Sequence, residues 1–186
     1  MLYKNAIESL KRYIEKYPDT EIVDLLSEVE SNEEIIKREN VTGHMTASGL
    51  VLLDNKLLLI FHKKLQRYLQ PGGHLEDDRS LVEAAQREVL EETGVQTIPY
   101  KSEEGELVIP IHVDIHTIPY NEKKNESEHF HYDCMFLLLA NSTEINLQES
   151  EVDGYKWVDL DYPFKDIGIV KAVKKIKELN IGKISF

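Results

Sequence analysis

Glu88, Glu91 and Glu92 stand at i, i+3 and i+4 within SLVEAAQREVLEETGV. On a helix this spacing sets all three carboxylates on one face, while Leu81, Ala85 and Val89 form an apolar face that can pack on a sheet. Like charges so crowded destabilise an isolated helix. A hard divalent cation such as Mg²⁺ or Mn²⁺ compensates them well, because these ions take carboxylate and carbonyl oxygens. Gly72 and Gly73, just upstream, let a loop carbonyl approach the same ion, and Arg87 can pair with a neighbouring carboxylate and hold it in place. A charge run alone reads as a solvated acidic face. Here the glycine loop, the arginine and Gly94 accompany it at set spacing, and that combination points to a metal centre.

A second constellation is made of histidines, of which the chain has seven. His112, Asp114 and His116 alternate with Ile111, Val113 and Ile115, and His129, His131 and Asp133 alternate with Phe130, Tyr132 and Cys134. In strands each polar trio shares one face. Paired as a hairpin, the two trios bring rows of imidazole and carboxylate together. His44 lies on the first strand of the body and His74 directly follows the glycine pair. A lone strand histidine is usually just hydrogen-bonded. As a group, His44, His74, His129 and His131 are expected to converge on one cleft and offer a second site, for a transition metal or for phosphate.

The run from Gly73 to Val95 resembles the Nudix box, G-x5-E-x7-R-E-U-x-E-E-x-G-U with U apolar, and the chain is identified as similar to the Nudix hydrolase family over roughly 41–160. One fixed position departs: where the family has its first glutamate this chain has Arg79, with Asp78 just before it and Glu76 nearby. The resemblance implies an α/β fold, an α/β/α sandwich with a mixed sheet. It also implies Mg²⁺-dependent hydrolysis of a nucleoside diphosphate linked to another moiety, by water attack at phosphorus. By similarity, Glu88, Glu91, Glu92 and the Gly72 carbonyl would hold Mg²⁺ or Mn²⁺, and Arg87 would orient Glu88. Many relatives take a further ligand or base from a loop before a Trp-containing strand. Here that stretch reads LQESEVDGYKWV, and Glu151 is the first choice, Glu149 the second. Another branch of the superfamily, the isopentenyl diphosphate isomerases, is similar at His44 and at Gly72-Gly73-His74, but its cysteine is absent, since Gly73 carries no thiol. A non-catalytic nucleotide sensor is the third reading, although all three helix glutamates are kept.

The elements that must position these residues follow from periodicity. Residues 1–40 read as a helical extension: Leu2, Ala6, Ile7, Leu10, Tyr13, Ile14 and Tyr17 recur at helical steps up to Pro18, Ile22, Leu25, Leu26 and Val29 mark a second helix, and Ser31 with Glu34 suggests a capping box for a third. Residues 41–186 read as the catalytic body. Two strands join at Asp54-Asn55, a loop holds YLQPGGHLEDD, and a helix runs from Ser80 to Gly94. A hairpin follows over 108–118 and 128–140, then a short strand over 155–158 and a closing helix over 166–179. Specificity is expected from the loops 97–107 and 118–128, with Lys63, Lys64, Lys123 and Lys124 as candidate phosphate contacts.

Composition narrows the function classes. Lys and Arg total 22 against 34 Asp and Glu, a net charge of −12. That surface disfavours a stable grip on nucleic acid and leaves a small phosphorylated partner, neutralised by metal. One cysteine excludes an internal disulfide framework and a thiolate zinc cluster. The apolar runs are too short to span a bilayer, and the N-terminus lacks the apolar core of a secretory signal, so a cytoplasmic protein is expected.

Overall fold

The computed structural model describes residues 1–101, 107–122 and 125–179. Two helices, α1 (Leu2–Lys16) and α2 (Thr20–Ser31), open the chain. Asp19 caps α2 by accepting the Glu21 N–H. The third helix expected from Ser31 does not form in that way. Ser31 ends α2, its hydroxyl donating to the Glu28 carbonyl, and Asn32 caps a single 3-10 turn, Glu33–Ile36. Asn accepts the Glu34 N–H as readily as Ser would, so the cap has moved by one residue.

Among the described residues eight strands follow: β1 (Gly43–Leu53), β2 (Lys56–His62), β3 (Arg67–Leu69), β4 (Gly72–His74), β5 (Thr97–Pro99), β6 (His112–Ile118), β7 (His129–Ala140) and β8 (Val152–Asp159). The helix α3 (Leu81–Thr93) lies between β4 and β5, and α4 (Ile167–Glu178) closes the described chain. β1 and β2 join at Asp54-Asn55, both with positive φ (47° and 63°), the backbone that a two-residue hairpin demands and that Asp and Asn tolerate. β3 and β4 fall where a loop was expected, as three-residue strands beside β2 and β1.

The sheet is mixed, in the order β3-β2-β1-β7-β5, with β4 on β1, β6 on β7 and β8 on β2. β1 and β7 run parallel in one register, from Gly43↔Phe130 to Leu52↔Leu139. The expected hairpin is present, with its first arm starting at His112 and not at 108: β6 pairs antiparallel with β7, placing Asp114 opposite Asp133 and His116 opposite His131.

Helices cover both faces. α1, α2 and α3 share one core with Met45, Ala47, Val51, Cys134, Phe136 and Leu138, and α4 seals a second core over Leu50, Leu52, Met135 and Leu137. This is the α/β/α sandwich. The N-terminal helices are continuous with the first core: Leu10, Tyr13, Ile35, Leu81 and Val89 are all buried in one cluster. Asn5 even accepts the N–H of Leu81, the first residue of α3. The face under α4 is apolar toward the strand ends. Toward the starts of β1 and β7 it turns polar, with His44, Thr46 and Ser48 beside His131 and Asp133. Among the described residues, no helix is long and apolar enough to cross a membrane. Lys123 and Lys124 lie outside the described residues.

Candidate active site

Ser80 starts α3 by accepting the Glu83 N–H, and Gly94 ends it at φ 71°. Glu83 does not return a bond to the Ser80 N–H as a capping box would; its carboxylate accepts the Arg79 N–H instead. With Leu81, Ala84, Ala85 and Val89 sealed in the core, the helix turns Glu88 and Glu92 toward the glycine segment. The two glycines are needed for different reasons. A Cβ at position 73 would sit 2.7 Å from the Glu88 carboxylate, and one at position 72 would collide with Ser48 on β1 at 2.3 Å.

Two donors serve the three carboxylates, Arg87 Nη1 being shared by Glu88 and Glu91. Glu88 accepts from Arg87 Nη1 at 2.9 Å, the buried Glu92 accepts the Gly72 N–H at 2.9 Å, and Glu91, half-exposed, takes a longer contact from Arg87 at 3.3 Å. Burial raises the pKa of Glu88. Burial likewise pushes Glu92 up to about 8, with the charges of Glu88, Glu151 and Glu91 adding to it and the Gly72 N–H opposing.

Arg87 is the hub. It forks onto Asp78 (Nε–Oδ1 3.0 Å, Nη2–Oδ2 3.1 Å) and donates to the His74 carbonyl at 2.9 Å as well as to Glu88. Burial opposes its charge, but Asp78 and Glu88 overcome that and raise its pKa. The departure at position 79 is thereby resolved. Arg79 points to solvent and pairs with Glu83, and the buried carboxylate that serves Arg87 is Asp78, one residue earlier.

The loop carrying Glu149 and Glu151 is tied to the end of α3: the Asn146 and Gln148 N–H groups donate to the Thr93 and Glu92 carbonyls. Glu151 is exposed, and its charge acts on Glu92. Lys63 holds the same loop through the Glu149 carbonyl and pairs with Asp153 at the start of β8.

The histidines gather on the face opposite Glu88. One ring nitrogen from each of His44, His74 and His131 lies within 4.8 Å of the others, and His129 Nε2 is 3.3 Å from His131 Nε2. Behind them the buried Asp133 accepts from Ser48 (2.6 Å), Thr46 (3.1 Å) and Gln70 (3.2 Å), and His116 pairs with Asp114 at 2.9 Å. Burial lowers His44 and, together with its imidazole neighbours, holds His131 far below the usual range. His112 is apart from this cluster, beside the Tyr13 hydroxyl at 3.3 Å. Sequence reasoning did not single out Ser48, Thr46, Gln70 or Tyr13. The first two carried a signal, alternating with His44 along GHMTAS. Gln70 and Tyr13 carried none.

The family model described as "NUDIX domain" matches residues 43–176. The chain belongs to the Nudix family. It is 32% identical over 147 residues, 78% of this chain and 84% of the relative, to a "Probable DHNTP pyrophosphohydrolase" of Lactococcus lactis subsp. cremoris. It is 43% identical to the "Phosphatase NudJ" of Escherichia coli K12 over 58 residues, 30% of this chain and 38% of that protein. A solved NUDIX-family hydrolase from Clostridium perfringens shares the fold at TM-score 0.56 and 24% identity, covering 73% of this chain and 97% of its own. As a Nudix hydrolase the protein is an enzyme of phosphoanhydride bonds. The isomerase reading loses its last thiol here: Cys134 is fully buried among Phe136, Val113 and Ala47, on the sheet face away from the histidines, and burial raises its pKa.

Proposed function

We propose that this Nudix hydrolase is a Mg²⁺- or Mn²⁺-dependent pyrophosphohydrolase of a small organic di- or triphosphate, of the nucleoside-diphosphate-derivative class, working in the cytoplasm. The observation that carries the reading is the fit of Glu88 beneath Gly73, clamped by Arg87, with Glu92 buried one turn away against Gly72. The donor chemistry suits a hard cation: Glu88, Glu91, Glu92 and the Gly72 carbonyl offer oxygen only. A bound ion would lower the pKa of the attacking water and neutralise charge on phosphate oxygens. Arg87 fixes the Glu88 carboxylate and, through the His74 carbonyl, the glycine segment beside it. Glu151, exposed at the rim, is the group proposed to take the proton from water as a phosphorus–oxygen bond of the anhydride breaks.

The name of the lactococcal relative puts DHNTP first among test compounds, with ADP-ribose, dinucleoside polyphosphates, sugar nucleotides and oxidised nucleotides beside it. Purified enzyme with Mg²⁺ is expected to cleave the anhydride of at least one of them, giving pyrophosphate from a triphosphate or two phosphorylated products from a linked diphosphate, and to stop on chelation. Tight binding across that panel without turnover would overturn catalysis and leave a sensor.

A further inference from the structure

We propose that His44, His74 and His131, with His129 as fourth ligand, bind one transition-metal ion of the zinc class at a site separate from the helix carboxylates. β4 separates the two. Side chains alternate along a strand, so Gly73 faces Glu88 while His74 turns to the opposite side, where the register sets it next to Thr46 and within ring contact of His44, 5.1 Å between centroids. His44 and His131 are direct neighbours on the parallel pair β1 and β7, with ring centroids 4.7 Å apart. Three independent strands thus deliver imidazoles to one point.

The nitrogens are spaced for an ion. A tetrahedral centre with metal–nitrogen bonds of about 2.0–2.1 Å sets its ligand nitrogens about 3.3 Å apart. His129 and His131 already stand at 3.3 Å, and the other three-way separations, all under 4.8 Å, close with small side-chain rotations. The outer nitrogens are held by carbonyls, as histidine ligands usually are. His129 Nδ1 faces the Ser127 carbonyl at 2.7 Å and His44 Nδ1 faces that of Asn40 at 3.4 Å. Donating there leaves each Nε2 lone pair directed inward. At His44 that Nε2 is buried and meets no hydrogen-bond partner, on a residue only 1% exposed. A buried polar atom with no partner calls for an occupant such as a water or an ion, and at His44 the neighbouring imidazoles of His74 and His131 favour an ion. The donor set decides the ion: four neutral imidazoles favour Zn²⁺, Co²⁺ or Ni²⁺ over Mg²⁺. Asp133 and Asp114, the nearby acids, are engaged by Thr46, Ser48, Gln70 and His116.

The test uses the full chain without a tag, in saturating Mg²⁺ so that the carboxylates are filled. Co²⁺ alone is added and its visible spectrum recorded, then Zn²⁺ is added and bound metal counted after dialysis. Expected are tetrahedral cobalt bands displaced by zinc, one zinc per chain, and about 100-fold weaker binding in His44→Ala and in His131→Gln. Binding in Glu92→Gln should be unchanged. Wild-type imidazole ¹⁵N shifts on zinc addition give a second readout that needs no variant. Octahedral cobalt bands, unshifted imidazoles, or binding lost in Glu92→Gln and kept in the histidine variants would each overturn the proposal, without touching the hydrolase reading.

Discussion

Replacing Asp78 by alanine removes the bidentate partner of a half-buried guanidinium. The Asp78 side chain is 5% exposed and that of Arg87 21%. Breaking a buried ion pair from one side costs about 3–5 kcal/mol. Arg87 keeps Glu88, Glu91 and the His74 carbonyl, so the expected loss falls below that range, at about 2–3 kcal/mol. For a chain of this size that lowers the melting temperature by roughly 4–12 °C. The catalytic effect follows from the same contacts. Without Asp78 the guanidinium can swing toward Glu91, Glu88 loses its fixed orientation, and kcat should fall about 10–100-fold, the range for partners that orient metal ligands. Thermal melts and steady-state kinetics at fixed Mg²⁺ read the two effects. Arg79→Ala, at a solvent-exposed pair, should change neither, and Arg79→Glu should fail to rescue Asp78→Ala. Wild-type kcat and melting temperature in Asp78→Ala, or rescue by Arg79→Glu, would refute the assignment.

Glu92→Gln should lower kcat at least about 100-fold and leave the fold intact. The folded carboxyl keeps its proton to about 8, above the unfolded 4.5, so wild type loses stability as pH rises through that window. The Gln variant does not, and in chelator at pH 8 it should melt higher than wild type. His112 behaves oppositely, its pKa pushed by burial down to about 4 from an unfolded 6.5. Its stabilisation is full above pH 6.5 and is lost at about 1.4 kcal/mol per pH unit as pH falls toward 4, so His112→Gln should flatten the acid limb of denaturant unfolding by about one proton. A chain starting at Asn40 would uncover the core shared by α1, α2 and α3, and gel filtration should show it aggregated or expanded. A compact, monodisperse truncation would contradict the shared core.

The parts of the fold that were legible in the sequence are those with a single strong period. The α3 pattern and its Ser80 and Gly94 ends, the Asp54-Asn55 turn and the β6–β7 alternation each follow from local chemistry, and the structure keeps them. The short strands β3 and β4 were not legible, because three residues carry no period; β4 exists through its pairing with β1 and not through propensity. The shift of the cap from Ser31 to Asn32 turned on two residues of nearly equal capping strength. In the site, the carboxylates and imidazoles were visible as residue types at intervals. Tyr13 was not, because its link to His112 spans 99 positions and depends on how α1 reaches the sheet.

The substitution at position 79 shows why a fixed motif position and the contact near it can separate. In a helix, moving a side chain by one residue rotates it about 100° and the contact is lost. Residues 75–80 are irregular, with backbone bent by the Asp78 carboxylate accepting the Glu76 N–H, and Ser80 begins the helix only afterwards. There a carboxylate displaced by one position still reaches Arg87, and the vacated position turns outward to Glu83. Glu88, Glu91 and Glu92 have no such latitude, being inside α3 with Val89 packed in the core beneath them. In this chain the loop carboxylate that serves Arg87 therefore sits one position early, while the helical triad keeps the spacing of the box.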